Sequence, residues 1–271
     1  MSIFEAIVLG VVQGLTEFLP ISSTGHLRIV PAFVGWDDPG SAFTAVVQLG
    51  TMAAVLIYFR DDLWRIAKTW FLSLRDPSLR GELDARMGWY IGLGTIPIAI
   101  FGFIFKDQIE SGGRDLYLIG CALIVMGLVL LYAEHVSKRN RDLSDINRSD
   151  AALMGFAQAL ALIPGVSRSG ATITGGLFAG FDRESAARYS FLLSVPAVVL
   201  SGLFEARKIA DPGGAGLAPT LIATLLAFVV GYASIAWMLR WLTSHTTAIF
   251  VIYRVGLGTL VIVLTAAGAI S

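Results

Sequence analysis

Charged residues and cysteines are both scarce in this sequence of 271 residues. Only 15% of the residues are charged and 55% are hydrophobic, whereas a soluble domain carries about 25% charged residues. So few charges cannot cover a water-facing surface, and the composition therefore indicates an integral membrane protein. It excludes a disordered chain and a disulfide-stabilised scaffold. Cys121, the one cysteine, allows no intramolecular disulfide.

Neither sign of charge is in excess, and the N-terminus carries no basic segment. Twenty basic residues balance twenty acidic ones. No global field therefore attracts an anionic polymer, and a nucleic-acid-binding module is excluded. Because the first residues also lack a small-residue cleavage site, we expect no cleaved signal peptide.

Six apolar stretches approach the length of a membrane span, which is about 20 residues. They are residues 43–59, 88–105, 116–133, 189–204, 217–239 and 247–267. Strand-like alternation is absent, which favours helices over a barrel.

Two further apolar stretches, residues 3–30 and 151–180, are interrupted in the middle. The first interruption reads PISSTGH from Pro20, and the second reads PGVSRSG from Pro164. Broken helices are tolerated at membrane depth only inside protein or beside a water-filled cavity. Since each half is too short to cross alone, we predict two re-entrant helix–break–helix hairpins.

The two hairpins also resemble each other. GVVQGL precedes the first break and GFAQAL the second, and each break then offers a proline, two serines and a glycine. We therefore predict an all-α polytopic membrane protein with six transmembrane helices, two re-entrant hairpins and an internal repeat. Three spans separate the hairpins, so the repeat has inverted topology, which commonly places a site at the repeat interface near the midplane.

The predicted boundaries describe one membrane domain, residues 1–271. Repeat one covers about 1–134, a cytoplasmic loop about 135–150, and repeat two about 151–271. Basic residues set the orientation, because cytoplasmic loops are enriched in them. One side holds Arg60, Arg65, Lys68, Arg75, Arg80, Arg86, Lys138, Arg139, Arg141, Arg148, Arg183, Arg188 and Arg240, and the other only Arg28, Lys106, Arg114, Arg207 and Lys208. We expect the first side to be cytoplasmic and the mouth of the first hairpin to open to the periplasmic or extracellular side.

The first hairpin carries most of the candidate chemistry. Gln13 and Glu17 share one helix face, and a carboxylate inside a membrane span indicates a functional site. The alternative is a carboxylate satisfied by a hydroxyl such as that of Thr16. His26 lies one turn after Ser23 and can exchange a proton near neutral pH, although a structural histidine is the alternative. His135 and His245 lie at predicted span ends, where solvated roles are favoured.

Hydroxyl groups cluster in the first break, at Ser22, Ser23 and Thr24. Such residues cap helix N-termini, and the same geometry directs free backbone N–H groups at a phosphate. Either serine could instead be a nucleophile if a base is in reach.

Arg168 in the second break is the sharpest single candidate. Its guanidinium suits bidentate phosphate binding, and the alternative is an ion pair with a buried acid, for which Glu17 is the obvious partner. Arg254, inside the last span, either faces the cavity or extends to the interface. Gln48 is either a polar neighbour of the site or a packing residue. Together these side chains indicate phosphate chemistry at a membrane cavity.

Residues 13–26 and 164–172 resemble the two signatures of the bacterial undecaprenyl-diphosphate phosphatases of the BacA/UppP family, and the resemblance covers essentially the whole chain. It implies hydrolysis of undecaprenyl diphosphate to undecaprenyl phosphate and inorganic phosphate in the bacterial cell membrane. This reaction recycles the lipid carrier for peptidoglycan and other wall polymers. It also implies a link to bacitracin resistance.

The resemblance further implies the roles of individual residues. Glu17 would hold a divalent cation, Mg²⁺ or Ca²⁺, with Gln13 as a weaker ligand at the position where the family has Glu or Gln. Ser23 would attack the terminal phosphorus or position water, His26 would act as general base or acid, and Arg168 would stabilise the developing charge. The phosphate-binding residues would be Ser22, Thr24, Gly25, Ser167, Ser169, Gly170 and Thr172.

The alternative function is a membrane transporter or lipid flippase, because inverted repeats with broken helices are also transporter architecture. The expected partners are a polyprenyl diphosphate lipid and bilayer lipids, without nucleic acid. The sequence leaves open whether Ser22, Ser23 or water is the nucleophile. It also leaves the oligomeric state open, with a homodimer as one alternative.

Overall fold

The computed structural model describes residues 1–105, 108, 114–206 and 215–271, and the side chains of 201 and 203–206 lie outside the description. The described residues form eleven α-helices and no strand beyond one isolated bridge. The helices are α1 Ile3–Thr16, α2 Ser23–Val34, α3 Gly40–Tyr58, α4 Arg60–Arg75, α5 Leu83–Ile104, α6 Leu116–Val136, α7 Arg148–Ala159, α8 Arg168–Phe178, α9 Arg183–Ala206, α10 Leu217–Leu242 and α11 Ala248–Ala266. Short 3₁₀ turns occupy Pro77–Gly81, Leu143–Asp145 and Leu160–Leu162.

Five of the described helices, α3, α5, α6, α10 and α11, are long and apolar enough to cross a membrane. The all-helical, multi-pass prediction is therefore confirmed. The predicted span 189–204 falls in α9, which is not among those five. Six spans therefore stay a prediction. Lys106, Arg207 and Lys208, which were counted in the prediction of the membrane orientation, lie outside the described residues.

Both predicted breaks interrupt their helices. α1 ends before the first break and α2 begins after it, and α7 and α8 flank the second. Ser22 and Ser167 cap the returning helices with φ of 76° and 73°. Their hydroxyls accept hydrogen bonds from the N–H groups of Gly25 at 3.3 Å and Gly170 at 3.1 Å. Positive φ at a residue other than glycine is strained and clusters at functional sites. The two breaks thus share one uncommon backbone geometry.

Each hairpin packs against a long helix from the other half of the chain. α1 lies on α10, and α7 lies on α5. A Cβ on Gly10 would lie 2.6 Å from the carbonyl oxygen of Ala223, and one on Gly155 would lie 2.8 Å from Gly94 Cα. Small residues allow such backbone approach between helices in membranes. The exchanged pairing places the two breaks side by side.

A helix that the sequence analysis did not predict, α4, occupies the basic segment after α3. Its first turn carries two acidic residues, Asp61 and Asp62, which suit a helix N-terminus. Trp64 and Phe71 are exposed, while the helix packs on α5, where Gly88 meets the side chain of Trp70. Its 16 residues carry too many charges for a span, so the search for apolar runs missed it.

Candidate active site

Glu17 joins the two breaks through hydrogen bonds to its carboxylate. Oε1 accepts from Arg168 Nη2 at 2.6 Å. Oε2 accepts from Ser23 Oγ at 2.6 Å and from Gln13 Nε2 at 2.7 Å. The Glu17 side chain is 4% exposed and that of Arg168 is 12% exposed. The ion pair that the sequence suggested as an alternative role for Arg168 is therefore present, and it connects the two halves of the chain.

Gln13 is fully buried next to Glu17, on the face that the four-residue spacing predicted. Its amide nitrogen donates to Glu17, but its carbonyl oxygen Oε1 has no hydrogen-bond partner among the described residues. A buried acceptor without a partner is costly. Carboxylate and amide oxygens are the ligand types that Mg²⁺ and Ca²⁺ take, so this pair fits a divalent cation. No cluster of three or more His, Cys, Asp or Glu with metal-binding geometry occurs in the described part of the chain.

A cavity of about 710 Å³ opens beside this cluster. Part of its polar lining comes from the two breaks and the residues next to them: Glu17, Ser23, Thr24, Ser167 and Arg168. Much of its wall is apolar and comes mainly from α5 and α9, including Ile98, Ala99, Phe103, Val198 and Leu200. Gln48 also lines the cavity, in agreement with its interpretation as a polar neighbour of the site. Such a cavity can hold a charged group together with an apolar chain.

Several residues that were expected to bind phosphate are not among the residues that line the cavity. Ser169 Oγ donates to the carbonyl of Leu19 at 3.0 Å. Thr172 is fully buried and bonds to the carbonyl of Arg168 and to Ser190. The cavity lining also omits Ser22, Gly25 and Gly170. Their side chains and N–H groups shape the breaks, which in turn position Ser23 and Arg168.

The imidazole of His26 is not hydrogen-bonded to Ser23, whose hydroxyl donates to Glu17. Its Nδ1 lies 2.7 Å from the carbonyl oxygen of Ser22, and its Nε2 lies 2.6 Å from the hydroxyl of Tyr253. A carbonyl only accepts, so Nδ1 carries the proton and Nε2 of a neutral ring accepts from Tyr253. The two rings stack with an interplanar angle of 8°. The imidazole is 5% exposed and outside the cavity lining. The group in position to take a proton from Ser23 is Glu17.

Arg254 neither faces the cavity nor extends to the interface, so both expected positions are wrong. It is fully buried and donates only to backbone carbonyls. The acceptors are Pro20 in the first break, Gly165 and Val166 in the second, and Ala122 and Leu123 in α6. Helix breaks free such carbonyls, which must be satisfied within the protein. Arg254 therefore fixes the two breaks relative to each other.

Comparison with known proteins places the chain in a family. The family described as bacitracin resistance protein BacA matches residues 6–260. The chain belongs to the BacA family. It is similar to the undecaprenyl-diphosphatase of Nocardioides sp. (strain ATCC BAA-499 / JS614), with 56% identity over 98% of each chain. The undecaprenyl-diphosphatase of Thermobifida fusca is 54% identical over 100% of this chain and 93% of its own. That of Prosthecochloris aestuarii is 51% identical over 99% of each chain.

In this BacA-family chain the family resemblance read from the two motifs is confirmed. Sequence reasoning also paired Glu17 with Arg168 as an alternative. It did not predict Tyr253 as the partner of His26, nor the hydrogen bonds from Arg254 to the backbone carbonyls of both breaks. A tyrosine and an arginine adjacent within an apolar span were the signal that could have found them, because polar groups there need partners.

Proposed function

We propose that this BacA-family protein hydrolyses undecaprenyl diphosphate to undecaprenyl phosphate and inorganic phosphate, and so recycles the lipid carrier for cell-wall polymers. Full-length relatives named undecaprenyl-diphosphatase, 51–56% identical, support this function. The observation that carries it is the hydrogen-bonded set Ser23, Glu17 and Arg168 at one cavity with apolar walls. A carrier needs substrate contacts but has no need of a hydroxyl bonded to a buried carboxylate.

We propose a role for each group that is consistent with this geometry. Ser23 Oγ attacks the terminal phosphorus, and its proton passes to Glu17 Oε2, 2.6 Å away. The bond from that phosphorus to the bridging oxygen breaks, and the bond's electrons leave with undecaprenyl phosphate. The leaving undecaprenyl phosphate takes up the proton from Glu17. Water then attacks the phosphorylated serine and gives a proton to the ionised Glu17, which passes it to the serine oxygen as the bond from that oxygen to phosphorus breaks and inorganic phosphate is freed. In-line displacement of this kind depends on positioning and charge stabilisation.

Arg168 supplies the positive charge in this scheme. When substrate enters, its planar guanidinium turns from Glu17 Oε1 to two terminal phosphoryl oxygens, where it stabilises the charge that develops. The N-termini of α2 and α8 direct backbone N–H groups toward the same region. His26 positions the first break through its bonds to Ser22 and Tyr253, and it does not serve as the base.

A divalent cation, Mg²⁺ or Ca²⁺, fits beside Glu17 and the unpartnered Oε1 of Gln13. When bound, it neutralises charge on the diphosphate oxygens. One protein carboxylate suffices, since Mg²⁺ commonly takes one or two carboxylates together with substrate phosphates.

We further propose that the two halves form an inverted repeat in the bacterial cell membrane, with the site open to the outside. The matching serine caps and the exchanged packing of α1 and α7 support the repeat. The cavity lining includes Ser41, just after the α2–α3 loop, and Arg114, just before α6. Both lie on the side with few basic residues, which the charge rule assigns to the exterior.

The test of this function replaces Ser23 with alanine in the purified protein. We expect Ser23→Ala to lower phosphate release from a polyprenyl diphosphate by at least about 10²-fold, while equilibrium binding of that lipid falls much less. Ser149→Ala, at an exposed serine in the first turn of α7, is the matched control and keeps the parental rate. Parental turnover in Ser23→Ala would show that Ser23 is not the nucleophile.

A further inference from the structure

Three charged side chains form a second polar cluster on the wall of the same cavity. Arg114 Nε lies 2.5 Å from Asp38 Oδ2, and its Nη2 pairs with Oδ1. Arg28 Nε lies 3.3 Å from the Oδ2 atom that Arg114 already holds, and donates to the carbonyl of Arg114 at 3.2 Å. The side chains of Arg28, Arg114 and Asp38 are 15%, 23% and 28% exposed. Arg28 and Arg114 both line the cavity.

Positive charge exceeds negative charge in this cluster. Burial opposes ionisation of Asp38, but the hydrogen bonds from Arg114 lower the pKa of its carboxyl below the ordinary value, so the group is charged at neutral pH. One carboxylate therefore faces two guanidinium groups. The terminal nitrogens of Arg28 have no hydrogen-bond partner among the described residues. A partly buried guanidinium with free donors is suited to an anion.

The cluster lies close to the proposed nucleophile along one helix. Ser23 is the first residue of α2, and Arg28 follows Thr24 by four residues, so those two side chains share a face and both line the cavity. One helical turn rises about 5.4 Å, a separation that an arginine side chain and the adjoining phosphate of a diphosphate can together span.

We propose that Arg28 and Arg114 form a second phosphate subsite that binds the lipid-linked phosphate of the substrate while the terminal phosphate lies at Ser23 and Arg168. The inference rests on the proposed function. Asp38 holds the two guanidinium groups in position. Because the lipid-linked phosphate stays on the product, this subsite also binds the lipid monophosphate, and it favours a diphosphate lipid over a lipid with one phosphate as substrate.

The test measures binding and kinetics of Arg28→Gln. We expect the KM for polyprenyl diphosphate and the inhibition constant of polyprenyl monophosphate to rise about 10-fold or more, as for loss of a charged hydrogen bond. kcat changes less. Inhibition by inorganic phosphate, which occupies the terminal position, stays unchanged. Arg28→Lys keeps the charge and recovers part of the affinity. Arg60→Gln, at a side chain 68% exposed, is the control and keeps parental constants.

A binding measurement that needs no catalysis tests the second phosphate subsite independently of the proposed function. In the Ser23→Ala background, we expect Arg28→Gln to weaken equilibrium binding of polyprenyl diphosphate by about the same factor. Unchanged binding and unchanged KM would overturn the subsite, and so would a fall in kcat alone. If the parent protein releases no phosphate, the proposed function fails, while the binding comparison still decides the subsite. Arg114→Gln, at the second arginine that pairs with Asp38, is measured in the same way and tests the subsite if Arg28→Gln does not fold.

Discussion

Glu17 holds the site together because one buried carboxylate satisfies a serine, an amide and a guanidinium. Removing one partner of a buried ion pair commonly costs about 3–5 kcal/mol, since the other charge stays buried and unpaired. A substitution at Arg168 that keeps the positive charge therefore distinguishes an effect on catalysis from a loss of folding stability better than a neutral substitution does.

Arg168→Lys keeps the charge and removes the planar fork. Lysine presents a compact point charge that cannot grip two phosphoryl oxygens bidentately. We expect phosphate release to fall by about 10²-fold or more, as on removal of one donor from a charge-stabilising site. The unfolding temperature in detergent should stay close to that of the parent. Near-parental turnover would show that Arg168 only pairs with Glu17.

At the residue scale, the sequence predicted which polar groups come together at one cavity better than it predicted the partner of each group. The sequence singled out Glu17, Ser23 and Arg168, which hydrogen bonds join in the structure, because charged and hydroxyl groups are costly at membrane depth unless they have partners or a function there. The contacts of His26 and Arg254 were not foreseen, since their partners, Tyr253 and the carbonyls of both breaks, come from distant segments. Spacing along one helix carries no information about such contacts.

At the scale of the helices, glycines determine how closely the helices approach. A Cβ on Gly50 in α3 would lie 2.0 Å from the carbonyl oxygen of Thr224 in α10. Gly50→Ala must push the two backbones apart, which costs about 1–3 kcal/mol or more. We expect a lower unfolding temperature in detergent and reduced phosphate release.

Gly92→Ala in α5 is the matched control, because nothing lies within 4 Å of the added methyl group. Alanine favours a helix over glycine, so this variant should unfold at or above the parental temperature. If Gly50→Ala unfolds no earlier than Gly92→Ala, the close approach of α3 and α10 is not a determinant of stability.

The sequence predicted long helices and breaks well, and short polar helices poorly. Continuous apolar runs identify α3, α5, α6, α10 and α11, since a run of about 20 apolar residues is typical of a membrane-spanning helix. The two Pro–Ser–Gly clusters marked the breaks because those residues stop helices. α4 escaped notice because its charged and apolar residues resemble a loop unless the helical period is counted.

For the molecule as a whole, the proposed orientation in the membrane is inferred from charge asymmetry, and thiol labelling of intact cells tests it. After replacement of Cys121, which is exposed, a cysteine at exposed Asp37 should react with a membrane-impermeant reagent. A cysteine at exposed Ser78 should react only after the cells are opened. Reaction at Ser78 but not at Asp37 on intact cells would contradict the proposed orientation and place the site on the cytoplasmic side.

The homodimer stays a prediction.

An inverted repeat is a prediction from the sequence, whereas the contacts between the two halves of the chain could not be predicted from it. GVVQGL and GFAQAL resemble each other, yet nothing in them shows that α1 pairs with α10 and α7 with α5. That exchange depends on glycines meeting small residues far away in the chain.

Phosphate release by the purified parent protein from undecaprenyl diphosphate, with Mg²⁺ or Ca²⁺, tests the central claim most directly. We expect one inorganic phosphate for each undecaprenyl phosphate formed. Glu17 is hydrogen-bonded to Ser23 and Arg168 and accepts the serine proton in the proposed mechanism, so for Glu17→Gln we expect the rate to fall by about 10²–10⁴-fold. If the parent protein releases no phosphate with either cation, yet moves the lipid between the leaflets of a vesicle, the protein is a carrier and the enzymatic function is wrong.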